Sequence, residues 1–348
     1  MRIRYGLLLL VWVLFACHPP PERSEHSALA IASGTAVEKG YSITFPEDHG
    51  IHQEQGIEWW YLTANLTSDS GESFGVQWTL FRTLAPSPIK SVWWDNNLYF
   101  AHFAMQHEQK HVAFERFARS GQADVTSAPF EAVIDDWQLR SEKSSFLPLQ
   151  LNAAEKGYGV SLLLNNSPVT LHGTNGYSQK TQSGHASYYF SYPFLRVTGE
   201  ISFAGQDHVV TGHAWYDREW SASLLDKDQI GWDWFSLVDK DLQNGLMLFC
   251  IRGREEVYEY CGGTIIAADG SAKALKQDDI SMSVVESLNV DNRTYPQKWR
   301  VTISDFSPII IETITRDSRN NLSIQYWEGR ITSSGGFVGK GYGEITGN

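Results

Sequence analysis

Glu58-Trp59-Trp60-Tyr61, a polar turn, then Phe74 through Trp78-Thr79-Leu80-Phe81-Arg82: an acid, aromatics, a loop, and an apolar run ending in arginine. The same order returns later as Asp233-Trp234-Phe235, another polar turn, and Leu246-Met247-Leu248-Phe249-Cys250-Ile251-Arg252. The closing segments also match. Val197-Thr198-Gly199 to Gly212-His213-Ala214-Trp215, and Trp327-Glu328-Gly329 to Gly341-Tyr342-Gly343, are each a strand, a glycine-containing turn and a strand. Two copies of one β unit are expected, with a boundary near residue 222. Keeping both ends of each copy has a physical reason: a closed barrel pairs its first strand with its last and leaves no edge exposed.

The rest of the chain agrees with this reading. It has 348 residues, enough for two cores, and carries 13 Trp, 15 Tyr and 17 Phe, residues that favour strands. Short alternating runs such as Tyr99-Phe100-Ala101-His102-Phe103-Ala104 and Trp299-Arg300-Val301-Thr302-Ile303 are separated by turn residues such as Ser68-Asp69-Ser70-Gly71, Ala204-Gly205 and Asp269-Gly270. No stretch beyond the N-terminus has helical apolar spacing, so the expected class is all-β. The net charge is −12 and there is no long basic run, which argues against a nucleic-acid partner.

The N-terminus reads as an export signal. Arg2 and Arg4 precede a short apolar run, Gly6 to Phe15, that ends Leu14-Phe15-Ala16-Cys17. That ending resembles the lipobox of bacterial lipoproteins. Residues 1–17 are therefore expected to be a leader with Cys17 as the lipid attachment site. Residues 18–40 are expected to be a tether, 41–222 the first barrel domain and 223–348 the second. A lipid on Cys17 would hold the protein to a membrane. His18 after the cysteine favours, by resemblance to other lipoproteins, an outer-membrane location facing the periplasm. Export permits disulfides, and Cys250 and Cys261 flank an expected hairpin, directly opposite each other if Glu255-Glu256 is its turn, a turn without Asn-Gly or Asp-Gly chemistry to fix the register. That register allows a cross-strand bridge, but two buried thiols fit the same pattern.

The chain resembles the lipocalin-like hydratase superfamily, which includes the AttH-like proteins and the carotenoid 1,2-hydratases. The resemblance is carried by Phe45-Pro46-Glu47-Asp48-His49-Gly50, Glu58 to Leu66, Ala101-His102-Phe103-Ala104, Tyr188-Tyr189-Phe190-Ser191, Gly212 to Trp220, Gly231-Trp232-Asp233-Trp234-Phe235, Tyr326-Trp327-Glu328-Gly329 and Gly341-Tyr342-Gly343-Glu344. It implies tandem duplicated lipocalin-like (calycin) antiparallel β-barrels. Together with the lipobox and the aromatic load it leaves three roles: an exported lipoprotein that binds or carries an apolar small molecule such as a lipid or isoprenoid, working with an ABC-type exporter; a cofactor-independent hydratase or isomerase of an isoprenoid alkene; or a structural partner of a membrane transporter with both barrels filled by side chains.

Alkene hydration needs an acid able to protonate carbon and a lining that tolerates the cation. On a strand, His213, Trp215 and Asp217 share one face. His213-x-Trp215 resembles the His-x-Trp of carotenoid hydratases, with Asp217 as acid. The same Asp217-Arg218-Glu219 run also reads as a structural ion-pair cluster. The Tyr-x-Asp that those hydratases carry on a later strand is replaced here by Phe249-Cys250-Ile251. Trp59 or Trp60 is expected to plug a barrel end, with Glu58 paired to Arg82 or another arginine there. The functional alternative makes Trp60 and Tyr61 pocket walls, with Gln77 as a polar group facing the cavity. Trp232 and Trp234 share a face as ligand contacts, and Asp233, on the other face, is a candidate acid at the domain junction. The histidines have no ligand spacing, so neither metal nor cofactor is expected. The oily ligand is expected to be sheltered by the barrels.

Overall fold

The computed structural model describes residues 33–347 apart from 89, 93 and 256; the leader, Cys17 and the tether up to residue 32 lie outside the described residues. The first sheet comprises β1 (Ile57–Ser68), β2 (Ser73–Leu84), β3 (Asn97–His107), β4 (Lys110–Ala118), β5 (Ala123–Ser127), β6 (Phe130–Ile134), β7 (Trp137–Ser141), β8 (Leu149–Glu155), β9 (Tyr158–Asn165), β10 (Thr170–Leu171), β11 (Tyr177–Gln179), β12 (Ala186–Phe203) and β13 (Gln206–Ser221). The second comprises β14 (Gln229–Val238), β15 (Asn244–Gly253), β16 (Tyr258–Ala267), β17 (Ala272–Leu275), β18 (Ile280–Val290), β19 (Arg293–Ile303), β20 (Ile309–Thr313), β21 (Arg319–Asn320), β22 (Tyr326–Gly335) and β23 (Gly339–Ile345). Two short 3-10 turns, Glu47–His49 and Gln277–Asp279, are the only helical segments among the described residues.

Each sheet is antiparallel and joins its first strand to its last. β1 lies between β2 and β13, and β14 lies between β15 and β23. The outer strands curl round until β4 meets β6 in the first sheet and β16 meets β18 in the second. The result is two nearly closed, lipocalin-like barrels. Tight turns hold the register. At Ala204-Gly205 both residues have positive φ (54° and 79°), as a two-residue hairpin between Phe203 and Gln206 requires.

Both barrels are packed to the middle. Trp60, Leu62, Trp78, Phe103, Trp137 and Phe190 fill the first, and Phe235, Leu248, Trp299, Trp327 and Ile345 the second. A buried acid meets arginine inside each. Glu58 accepts from Arg82 at 2.9 Å and also pairs with Arg218, and all three side chains are fully buried. Asp233 pairs with Arg252 and accepts hydrogen bonds from Tyr258 and from Trp299 Nε1 (2.8 Å). Cys250 and Cys261 are cross-strand partners on β15 and β16 and form a disulfide.

The barrels dock wall to wall. The outward residues of β1, β2, β12 and β13 pack against those of β14, β15, β22 and β23, so these strands are buried on both faces along much of their length. Two apolar clusters form the seam. One gathers Tyr189, Phe194, Trp215, Met247, Phe249 and Ile251; the other gathers Phe100, Ile324 and Tyr326. Cross-barrel hydrogen bonds add to it, including Arg330 Nη1 to Ser73 Oγ (2.7 Å) and Gln106 Nε2 to Ser318 Oγ (2.8 Å). The open space is here, between the walls, and not within the shells as the sequence suggested.

Gly75 on β2 sits where the walls come closest. A Cβ there would lie 2.4 Å from Tyr342 Oη and 2.7 Å from Arg330 Cδ, and both residues are fully buried. Gly75→Val is expected to destabilise the protein by about 1–3 kcal/mol through overpacking. Urea unfolding would check this, and an unchanged midpoint would mean that the seam yields at little cost.

Candidate functional site

Strand parity decides what faces the cleft. On β1, Trp60, Leu62 and Ala64 point into the barrel, so Trp59 and Tyr61 point out. On β13 the outward set is His213, Trp215, Asp217 and Glu219. On β14 it is Trp232 and Trp234, on β22 Tyr326 and Glu328, and on β23 Tyr342 and Glu344. Trp59, Tyr61, Phe81, Tyr189, Trp232 and Trp234 are among the residues of the apolar wall of the resulting cleft, and Asp217, Glu219 and Glu344 open onto it.

Asp217 is fully enclosed. Burial pushes its pKa up to about 7, although Ser191, Trp215 and Tyr189 all donate to it. Trp215 Nε1 lies 2.7 Å from Oδ1. Directly opposite on β1 is Tyr61, whose hydroxyl donates to Glu328. Glu328 and Glu344 are themselves a cross-strand pair on β22 and β23. Two carboxylates cannot both ionise side by side in a dry seam. Burial raises both: Glu344 to about 7, and Glu328 well above the carboxylate range with Glu344's charge adding to the effect. Trp232 Nε1 donates to Glu344 Oε1 at 2.7 Å. The pair therefore holds a proton at neutral pH. Glu219, by contrast, is paired with Lys180 at 2.9 Å.

The residues singled out from the sequence are dispersed. Asp217, Tyr61, Trp232 and Trp234 line the cleft. Trp215 stands behind it, in the apolar seam, and holds Asp217. Gln77 is buried between the walls, donating to Thr79 Oγ1 (2.7 Å) and Tyr326 Oη (3.3 Å). Trp60 is on the inner face of β1, where its Nε1 donates to the His49 carbonyl at 2.8 Å and the Arg218 guanidinium covers its ring, so it fills the barrel, in line with the plug reading, and does not wall the cleft as the functional alternative had it. Two further placements differ from expectation. Asp233 faces into the second barrel, because Trp232 and Trp234 take the outward positions of β14. His213 shares Asp217's face but is four residues away, about 13 Å along the strand. It does not line the cleft, and burial beside Lys340 lowers its pKa to about 4.

Sequence reasoning missed the glutamate pair. Both residues stand in the stretches that carry the family resemblance, and alternation from the apolar Trp327 and Ile345 puts both acids on outward faces. His102 was missed as a cleft residue too. Its Nδ1 meets Tyr326 Oη at 2.8 Å, its buried Nε2 has no partner, and burial keeps it neutral.

Two lipocalin-like barrels, docked through their walls over an acid-bearing aromatic cleft, define a tandem-barrel protein of the lipocalin-like fold. The chain belongs to the AttH-like family, whose sequence profile matches residues 36–348. It is similar to an AttH of known crystal structure from Nitrosomonas europaea, with 31% identity over 90% of this chain and 99% of that one and a TM-score of 0.81. Kievitone hydratase from Nectria haematococca shares the fold at 16% identity, with 91% and 98% of the two chains covered and a TM-score of 0.69. CghA shares it at 9% identity, with 91% and 97% covered and a TM-score of 0.52. No curated protein sequence matches the chain.

A raised carboxyl pKa has a stability signature. Between the unfolded value and about 7, folded Glu344 binds more protons than the unfolded chain, so stability is lost as pH rises through that window. Glu344→Gln replaces the shared proton with an amide that can donate to Glu328. It is expected to be more stable than wild type by roughly 1–3 kcal/mol at about pH 8 and near equal at about pH 5. Unfolding at the two pH values tests this; identical pH slopes in the two proteins would refute it.

Proposed function

We propose that this protein is a cofactor-independent acid–base catalyst that adds water to, or removes it from, a carbon–carbon double bond of an apolar small molecule lodged in the inter-barrel cleft. One observation carries the reading: carboxyl groups desolvated to different degrees open on, or adjoin, a single aromatic cleft. A simple carrier of oily molecules has no use for such groups, each of which is costly to bury.

In the hydration direction, the Glu328–Glu344 pair gives its proton to one alkene carbon. Positive charge grows on the other carbon, where the faces of Trp59, Trp232 and Trp234 stabilise it. A water molecule forms the C–O bond and yields a proton to Asp217, acting as base. The net change is addition of one water, and the two carboxyl sites then exchange protons with solvent. Pairing a protonated acid with a base poised near neutrality is the arrangement that such chemistry requires. An isoprenoid alkene is the substrate class we propose. It matches a cleft surface that is mostly apolar by area.

The test is incubation of the purified protein with a panel of isoprenoid alkenes in oxygen-18 water, read by mass spectrometry. Wild type should incorporate label, and Asp217→Asn and Glu344→Gln should each be slower by about 10²–10⁴-fold. The rate should rise with pH through about 7, as Asp217 gives up its proton, and fall again as the glutamate pair loses its own. A lipophile that co-purifies and comes back unaltered, with no label in any alkene, would make the protein a carrier instead.

We propose a cell-envelope setting, with Cys17 carrying lipid. The N-terminal sequence supports this, as does the Cys250–Cys261 disulfide, a bond that persists in oxidising compartments. Labelled palmitate should enter the wild type and not Cys17→Ala; equal labelling of both would exclude that anchor.

A further inference from the structure

Behind Asp217, away from the cleft, runs a line of buried polar side chains for which catalysis as described above has no use. Ser191 Oγ, on β12, contacts Asp217 Oδ1. His172 Nε2 lies 2.6 Å from the same Ser191 oxygen. His172 Nδ1 lies 2.9 Å from Thr264 Oγ1, on β16 of the second barrel. Ser191, His172 and Thr264 are all fully buried. The His172 ring lies against Tyr189, centroids 4.1 Å apart, and Tyr189 itself donates to Asp217.

The hydrogens in this line can be counted. An ionised Asp217 has none to give, so the Ser191 hydroxyl must donate to it. Ser191 Oγ is then left only as an acceptor, so His172 Nε2 must carry a hydrogen. A neutral imidazole carries one, so Nδ1 is bare and accepts from Thr264. Neutrality fits the site, because burial and the nearby Lys180 both disfavour a charged ring. Every donor therefore points the same way: Thr264 to His172, His172 to Ser191, Ser191 to Asp217. Successive hydrogen bonds of one sense polarise each other, and the effect is strongest in a low-dielectric interior.

We propose that Ser191 and His172 are positioning residues, and that the one-way chain of donors from Thr264 holds Asp217 as a carboxylate so that it can act as the base. The inference rests on the acid–base reading of the cleft. Trp215 Nε1 and the Tyr189 hydroxyl also donate to Asp217 and favour its ionised form, but neither belongs to the chain from Thr264, and the charged groups nearby do not help. Tyr61 on β1 gives its hydrogen to Glu328, and Glu328 and Glu219 bear on Asp217 as acids, which disfavour a second charge. Lys180 is taken up by Glu219. Because the chain starts in one barrel and ends in the other, the base is set only when the two walls are docked.

The experiment titrates Asp217 by NMR in protein labelled with carbon-13 aspartate and nitrogen-15 histidine, without substrate, in wild type, Ser191→Ala, Ser191→Thr and Thr264→Val. Ser191→Ala should raise the Asp217 midpoint by about one pH unit, the size expected when a carboxylate loses a donor. Ser191→Thr should restore it. Thr264→Val, two bonds further away, should raise it by less. In wild type above the midpoint, His172 should be neutral with its hydrogen on Nε2. A folded Ser191→Ala protein with an unmoved midpoint would overturn the proposal, as would a His172 hydrogen on Nδ1 while Asp217 is ionised. If Ser191→Ala fails to fold, Thr264→Val and the tautomer still decide. A shifted midpoint in a protein that hydrates no alkene would sink the proposed function and leave the chain standing; hydration with an unmoved midpoint would do the reverse.

Discussion

The docking of one barrel wall on another is the constraint from which the rest follows. A single lipocalin-like barrel has a dry inside and a wet outside, and polar residues on alternate strand positions cost nothing. Here much of the outside of β1, β2, β13, β14, β22 and β23 is buried as well, with Trp232, Trp234 and Glu344 half-buried where the walls part. Any ionisable group on those faces is desolvated by the partner wall, and its proton affinity is set by the few neighbours that reach it. The apolar clusters around Phe249 and Phe100 make this tolerable. Burial of each large side chain contributes about 1.5–3 kcal/mol, enough to offset the carboxyl groups enclosed beside them.

Burial alone does not fix protonation, as the molecule's own contrasts show. Glu58 is fully buried, more deeply than the half-buried Glu344. Arg218, Arg82 and His52 surround it, and they hold its pKa down to about 2. Glu344 has an indole and another carboxyl instead, and is pushed up to about 7. The difference is whether an arginine is present. Within the barrels the acids are paired with arginines and serve the fold: Glu58 with Arg82 and Arg218, Asp233 with Arg252. In the seam Asp217, Glu328 and Glu344 have no arginine partner among the described residues. The division between acids held ionised by arginine and acids of raised proton affinity thus follows the division between barrel interior and barrel wall.

Much of this was legible in the chain, and the limits have a physical cause. Alternation and the duplicated acid–aromatic–arginine pattern identify the strands, the closure of each sheet on its first strand, and the meeting of Glu58 with Arg82. Alternation also separates Asp233 from Trp232 and Trp234. What it does not say is which side of a strand is the barrel interior when both sides are apolar. Trp59 and Trp60 are alike in chemistry and opposite in direction, and only the docked partner distinguishes them. The same ambiguity put Asp233 at the junction. It also drew attention to Phe249-Cys250-Ile251 as the place where an acid was lacking, whereas the acids stand on β22 and β23, brought to the cleft by the docking of the second barrel. The disulfide had a similar limit, since its formation depended on a cross-strand register that the Glu255-Glu256 turn left open.

Neither barrel contains the site alone. The first supplies Asp217 and Tyr61, and the second supplies the glutamate pair and two of the tryptophans. Tyr61 is the link, standing opposite Asp217 in its own sheet while its hydroxyl reaches Glu328 in the other. Thr264 and His172 make the opposite crossing behind the base. A duplicated barrel that had simply diverged in its two interiors would hold two separate pockets. Here the duplicated walls face each other, so each copy completes the other: in the proposed reaction one brings a group that must lose a proton to act, and the other a group that must keep one. Such groups hold different proton affinities at close range only where water is excluded and neighbours are fixed, and the seam between two stiff sheets provides both conditions.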